Sequence, residues 1–295
     1  MSVKVVTYRT ITPGPALTVL GAVHGNERCG AEAIGRVMAD IDAGRLAITS
    51  GTLRLVPVTN PRAYAQGVRF VERNLNRFLY PKEQKVHYED HLDTILCGVL
   101  DKTEVLLDLH SYTSQGGPFI FLGGHDAAET AFARALGVQD FVYGWSEAFG
   151  SGEDKASQGT TEYARTKGAR AVTLECGHHH NPDASDVGYR AIVLALAHLG
   201  MLDPASPAAP ARAGNEAAAA QRCIRMKSAY FRAEGAAFTK PWRHLDRVAG
   251  GEVLATAPDG TSLAAPEDGC LVMPNGSAPT GVEWLYFGTE VPFPA

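Results

Sequence analysis

Short apolar runs alternate with stretches of helical period over roughly the first 200 residues of the chain. The runs at 17–23, 52–59, 104–109, 118–122, 140–143 and 171–175 predict strands, with Pro57 placing the less-paired end of the second late in its run. The segments 29–41, 91–100, 129–136, 160–167 and 186–199 carry the helical pattern, and 153–159 reads as a loop. Residues 1–10 read as a strand rather than a signal peptide. This alternation predicts an α/β fold with a mixed, mostly parallel central sheet flanked by helices. From 203 the pattern stops. Residues 203–220 are rich in proline and alanine and read as a linker. Residues 221–295 break into short alternating segments punctuated by Gly, Pro, Asp and Asn, which predicts a smaller C-terminal all-β domain. The expected division is therefore a first domain over 1–202, the linker, and a β domain over 221–295.

Composition narrows the function classes. The 295 residues are 45% hydrophobic and 20% charged, as in an ordinary globular protein. A net charge of −5 argues against a nucleic-acid partner, and no apolar run approaches the length of a membrane span. Five scattered cysteines without a Cys-x-x-Cys pair argue against a disulfide framework and for a reducing, cytoplasmic setting; Cys176 reads as a small buried filler. The rhythm of 250–271 resembles lipoyl-domain-like β sandwiches, but no lysine stands at a turn tip to carry a cofactor.

The chemistry concentrates at strand ends, where ligands bind in parallel α/β sheets. The run ending at Val23 leads into His24-Gly25-Asn26-Glu27, and the run 105–109 leads into His110. Two histidines and a glutamate are the three protein ligands of a catalytic zinc that keeps one position open for water, whose pKa the metal lowers. A metal-dependent hydrolase is the first reading. Asp108, two residues before His110, is either the partner of that imidazole's second nitrogen or a structural hydrogen bonder at the strand end. Glu175 closes the run 171–175, where burial near a metal would tune a carboxylate for proton transfer. Arg62, Arg69, Arg73 and Arg77 fall within 16 residues, either as a solvated loop or as anion-recognising forks. His178, His179 and His180 suit a polar lip over the site better than a second metal centre, because adjacent residues of an extended chain rarely converge.

The motifs Gly21-x-x-His24-Gly25-Asn26-Glu27, Asn60-Pro61-Arg62-Ala63, Asn74-Leu75-Asn76-Arg77, Asp108-Leu109-His110 and Glu175-x-Gly177 occur in this order. Together they resemble the succinylglutamate desuccinylase/aspartoacylase family, a branch of the zinc carboxypeptidase-like hydrolases, over roughly residues 17–200. The resemblance implies one Zn2+ per chain held by His24, Glu27 and His110. It implies Glu175 as the general base that activates zinc-bound water and protonates the leaving amine, and Arg69 as the cation that polarises the scissile carbonyl. It implies Asn76 and Arg77 as the grip on a substrate carboxylate, Arg165 as a further carboxylate-binding arginine, and Tyr286 as a tyrosine reaching the site from the β domain; an ordinary place in a strand is the other reading of Tyr286. Where aspartoacylases place a tyrosine four residues before that arginine, this chain has Thr161, with Tyr163 nearby, a departure that bears on aspartate-type selectivity.

The expected function is removal of an acyl group, such as acetyl or succinyl, from a small N-acyl amino acid or related amine. The alternatives are a metallocarboxypeptidase acting on short peptides and a non-catalytic binding protein on the same scaffold. The expected partner is the small substrate, with no nucleic acid or membrane; a homo-oligomer is left open.

Overall fold

The computed structural model describes residues 2–124, 126–148, 157–210 and 221–294. Residues 153–156 of the expected loop and 211–220 of the expected linker lie outside the described residues. In chain order the first elements are β1 (Val6–Arg9), β2 (Ala16–Gly21), α1 (Cys29–Asp42), β3 (Thr52–Val56), α2 (Pro61–Gln66), α3 (Tyr88–Leu100) and β4 (Val105–Tyr112). There follow β5 (Phe119–Phe121), α4 (Ala127–Arg134), β6 (Asp140–Tyr143), α5 (Trp145–Ala148), α6 (Thr160–Thr166), β7 (Arg170–His178) and α7 (Ala184–His198). The C-terminal part is all strand: β8 (Arg222–Phe231), β9 (Ala237–Phe238), β10 (Arg247–Val248), β11 (Val253–Thr256), β12 (Ser262–Ala264), β13 (Gly269–Val272) and β14 (Glu283–Val291).

The expected mixed sheet is present. Its order is β1-β3-β2-β4-β7-β5-β6-β8-β14-β13-β10, and β9, β11 and β12 form a separate small sheet. The pairs β3–β2, β2–β4 and β4–β7 are parallel, as are β5–β6 and β6–β8. The pairs β1–β3 and β5–β7, and all pairs beyond β8, are antiparallel. The C-terminal strands thus extend the central sheet through the β6–β8 pair.

Both faces of the central strands are covered, which is why they read as continuous apolar runs instead of alternating ones. The pleat sends Leu17, Val19, Leu107 and Val172 to one face, where Ile34 and Val37 of α1 and Ile192 and Leu196 of α7 cover them. It sends Leu20, Leu106 and Ala171 to the other, against Leu92 and Leu96 of α3 and Tyr163 of α6. The parallel register sets Gly21 beside Leu109, and His110 beside Glu175, so the carboxyl ends of β2, β4 and β7 line up at one edge.

Three of the departures from the expectation bear on the site. The helix expected from 91 begins at Tyr88, because the Asp90 carboxylate accepts the backbone N–H groups of Val86 and His87 and caps it early. The strand expected to stop at 109 continues to Tyr112, since it keeps pairing with β7 beyond His110. The Asn60-Pro61 motif opens the short helix α2: the Asn60 side chain accepts from Ala63 N, Pro61 takes the first turn and Gly67, at φ 67°, closes it. No helix among the described residues is long and apolar enough to cross a membrane.

Candidate active site

At the aligned strand ends, His24, Glu27 and His110 converge, with one ligand atom of each within 4.8 Å of the others and all three side chains buried. His24 sits in the turn after β2, Glu27 just before α1 and His110 on β4. That turn is tight. Ala22 holds a positive φ of 47°, and a Cβ on Gly25 would stand 2.0 Å from the Ala63 carbonyl carbon. The turn is thereby pressed against α2, and Gly25 N–H donates to Arg69 O at 3.1 Å.

The outer ring nitrogens are committed. His24 Nε2 lies 3.0 Å from Asn74 Oδ1, an atom that also accepts the Asn76 N–H and is therefore the amide oxygen. His110 Nε2 lies 3.0 Å from Asp108 Oδ2, which Thr160 Oγ1 also approaches. Both Nε2 atoms are thus donors, and each neutral ring presents a lone pair at Nδ1. Those Nδ1 atoms face Glu27 Oε1 at 2.9 Å and Glu27 Oε2 at 2.8 Å. Lone pair against carboxylate is repulsive unless a proton or cation lies between them. Two imidazole nitrogens and a carboxylate, oriented from behind by an amide and an acid, are a donor set that fits zinc. Burial pushes His24 down to about 4, with the Arg69 charge adding to it. Burial also works against charge on His110, yet Asp108 and Glu27 hold its imidazolium well above the usual range. Desolvation opposes ionisation of Glu27, but the two histidines keep its carboxyl well below the ordinary value.

Glu175 on β7 faces the same cavity from beside His110. Its side chain is buried and its Oε2 has no hydrogen-bond partner among the described residues. Burial pushes its carboxyl up to about 8; His110 and Arg69 pull it back while Glu27 and Asp108 add to the rise. Asp108, for which two roles were open, turns to His110 as its imidazole partner.

The arginine-rich segment is a loop clamped from below by α3. Glu89 accepts backbone N–H bonds from Val71 at 2.8 Å, Glu72 at 3.2 Å and Arg73 at 3.1 Å, and a further bond from Asn60 Nδ2. Arg73 is tied to Asp90 and Asp93, so it belongs to the clamp and not to the cavity. Arg69, Asn76 and Arg77 do line the cavity. Arg69 Nη1 donates to Glu27 Oε1 at 2.8 Å. Asn76 Oδ1 accepts the Thr160 N–H at 2.8 Å, which docks the loop on α6. Arg77 stacks over Trp145 at 5.0 Å and faces Glu283 at 3.6 Å.

The cavity holds about 610 Å³. Its roof is Met273, Asn275, Pro279, Val282, Glu283 and Tyr286 from the C-terminal strands and their loops. Tyr286 is buried, packs on Trp145 at 5.4 Å and lines the cavity, so its two readings meet in one place. Arg165 also lines the cavity, but Glu129, Glu162 and the Ala171 carbonyl engage its guanidinium. Of the three adjacent histidines, His179 faces the cavity and hydrogen-bonds Ser111 at 2.8 Å, while the His178 and His180 rings pack against each other. Sequence reasoning did not pick out Glu89, Asn74, Trp145 or Glu283. Only Asn74 had a local signal, inside the Asn-x-Asn-Arg motif.

The family model described as the succinylglutamate desuccinylase/aspartoacylase catalytic domain matches residues 13–195. A probable aspartoacylase from Nostoc sp. (strain PCC 7120) is 31% identical over 120 residues, 37% of this chain and 40% of that relative, so the match spans well under half of the relative's length. A solved succinylglutamate desuccinylase/aspartoacylase from Rhodobacter sphaeroides superposes with a TM-score of 0.74 at 20% identity, covering 98% of this chain and 90% of that one. A succinylglutamate desuccinylase from Vibrio parahaemolyticus gives 0.71 at 18% identity, covering 97% and 86%. At these identities the two structures bear on the fold.

Proposed function

Since the chain belongs to the succinylglutamate desuccinylase/aspartoacylase family, we propose that it is a zinc-dependent deacylase that hydrolyses the linear amide of a small N-acyl amino acid. The observation that carries this reading is a buried Glu175, whose Oε2 has no hydrogen-bond partner among the described residues, sharing one cavity with the His24, Glu27 and His110 donor set. His24, Glu27 and His110 would hold the ion, which supplies Lewis acidity towards the amide carbonyl.

The chain's own groups divide the remaining work. Glu175 takes a proton from the attacking water and delivers it to the leaving nitrogen, with its carboxyl held by burial in a range suited to both steps. Arg69, at the cavity edge, supplies the cation that the developing oxyanion meets. Arg77, with Asn76 beside it, holds a substrate carboxylate so that the amide carbon sits near Glu175. Asn74 and Asp108 fix the rings of His24 and His110. The roof drawn from residues 273–286 supports a small substrate over a peptide, whose chain would need an open cleft.

The test is a screen of N-acetyl and N-succinyl amino acids beside short peptides, with zinc-loaded protein and with Glu175→Gln. The expected outcome is turnover of N-acyl amino acids and, for Glu175→Gln, an unchanged zinc content with activity lower by about 100-fold or more. Normal activity of that variant would remove Glu175 as the base, and peptide cleavage alone would favour a carboxypeptidase.

A further inference from the structure

Beyond the ligand set, the strand ends build a wall of the cavity that has no role in the steps above. β4 keeps pairing with β7 past His110, with Tyr112 beside His178, and His179 N–H donates to Tyr112 O at 2.9 Å. This sets the His179 ring against the hydroxyl side chains at the end of β4. Its Nδ1 lies 2.8 Å from Ser111 Oγ, while Nε2 has only a long approach of 3.5 Å to Oγ1 of the exposed Thr113. Ser111 is buried and its backbone N–H donates to Glu27 Oε2 at 3.2 Å, so the wall begins at the ligand set itself. Ser111, Thr113 and His179 all line the cavity.

This wall and the Arg77 fork stand on opposite flanks. Burial holds the His179 imidazole below its ordinary value, and the charges that chiefly act on it are Glu27, Arg69, His178 and His180. Tyr286 of the roof, its hydroxyl pushed up by burial, chiefly feels Glu283, Arg77, Arg69 and Glu175. Arg69 acts on both and therefore lies between them. A substrate whose carboxylate sits on Arg77 and whose amide carbon sits between Arg69 and Glu175 sends its acyl chain towards His179.

What the wall offers that chain is one hydrogen-bonding function without charge. The Ser111 hydroxyl can donate to Nδ1 or accept from it, so Nε2 is a donor in one tautomer and an acceptor in the other. A hydroxyl on the acyl chain satisfies either tautomer. An alkyl chain would cover Nε2 and leave it unpaired. A carboxylate would exchange water for a single neutral N–H, which does not offset its desolvation. No further cation is at hand among the described residues. Arg69 is bonded to Glu27, and the other cations lining the cavity, Arg77 and Arg165, are not among the charges that chiefly act on His179.

We propose that His179, oriented by Ser111, is the specificity-determining residue of an acyl subsite that takes a short hydroxyacyl group in preference to an alkanoyl or a dicarboxylic one. The proposal rests on the deacylase reading above and deepens it by naming the class of acyl group.

The test compares 3-hydroxypropanoyl, butanoyl and succinyl groups on the α nitrogen of alanine, aspartate and ornithine, one amine at a time, so that the amine cancels from each ratio. Turnover is measured on the zinc-loaded chain, on His179→Leu and on His179→Gln. Binding of the free acids 3-hydroxypropanoate, butanoate and succinate to the same proteins is followed by ligand-observed NMR, which needs no turnover. The hydroxylated group should exceed both others by about tenfold or more in kcat/KM, and the acids should rank in the same order. His179→Leu should bring the ratio to butanoyl close to one with zinc content unchanged. His179→Gln, which has a donor and an acceptor of its own, should restore part of the ratio. Ser111→Ala frees the ring and should lower the ratio by less; it serves as the test where His179→Leu fails to fold. Chelation of zinc by the hydroxyl would survive in every variant, so a ratio that His179→Leu leaves unchanged overturns the proposal. So does a native preference for butanoyl or succinyl. Turnover without a His179-dependent acyl preference sinks the proposal and leaves the deacylase reading intact. A His179-dependent preference among the acids without turnover of any amide does the reverse, and the absence of both removes both.

Discussion

Asp108 is used on one side only. Its Oδ2 accepts from His110 Nε2 and from Thr160, while its Oδ1 is buried with no partner among the described residues. Leaving a carboxylate oxygen unpaired in the interior is costly unless the charge is needed. Here the charge faces the outer nitrogen of an imidazole whose inner nitrogen points to Glu27, so it raises the basicity of that inner nitrogen. Asp108→Asn keeps an acceptor and removes the charge. It is expected to weaken zinc affinity by about 10–100-fold, as judged by competition with a chromogenic chelator. Unchanged affinity would return Asp108 to the role of a strand-end hydrogen bonder. At this scale the sequence was informative where the chain does the ordering itself. His24, His110 and Glu175 each end an apolar run, and a parallel sheet brings such ends together. Glu283 gave no such signal, because it faces Arg77, a residue far away in sequence that only the folded chain brings near.

Helix α3 shows how an element works at a distance from the chemistry. The first turn of α3 carries Glu89 and Asp90, acids that ordinarily complement a helix dipole from the solvent side. In the fold, Glu89, Asp90 and Asp93 are buried and grip the loop that carries Arg69, Asn76 and Arg77. Periodicity cannot separate these cases, since an acid facing water and an acid facing backbone N–H groups have the same hydropathy. Glu89→Gln replaces one acceptor oxygen by an NH2 group that opposes the N–H groups of the loop. That substitution is expected to cost about 1–3 kcal/mol in stability, read from the urea midpoint. It should also open the segment 67–79 to limited proteolysis and lower kcat/KM more than kcat, because the substrate grip loosens while Glu175 and the histidines stay in place. An intact loop with native kinetics would show that α3 is only part of the core. The same reasoning explains why α2 escaped the periodic reading. It has a single turn and a half, too short for a pattern, and is defined by its caps Asn60 and Gly67.

On the scale of the whole molecule, the roof and the floor of the cavity belong to one continuous sheet, and His244 is a joint between them. Its backbone N–H donates to Gln115 O at 2.8 Å, and its Nδ1 accepts the N–H of Met273, a roof residue, at 3.2 Å. Its ring stacks on Phe119 at 4.1 Å, and Phe119 pairs with Glu175 in the β5–β7 register. Tyr112 meets the ring edge-on, and Arg222 is the charged group whose field reaches it. Because Nδ1 accepts, Nε2 carries the proton of the neutral ring, and it has no partner among the described residues. Burial, aided by Arg222, pushes this imidazole down to about 3. The folded chain therefore declines a proton that the unfolded chain takes up near the ordinary value of about 6.5. The stabilisation is complete above that value and is lost as the pH falls from it towards 3. Between pH 6.5 and pH 5 the loss from this one group is about 2 kcal/mol. His244→Asn retains an acceptor for Met273 N–H and cannot charge. Its urea midpoint should change less between pH 7.5 and pH 5 than that of the native chain, even where the variant is less stable overall. An equal shift in both proteins would mean that acid opens the molecule elsewhere, and that the joint between roof and floor does not depend on a neutral His244.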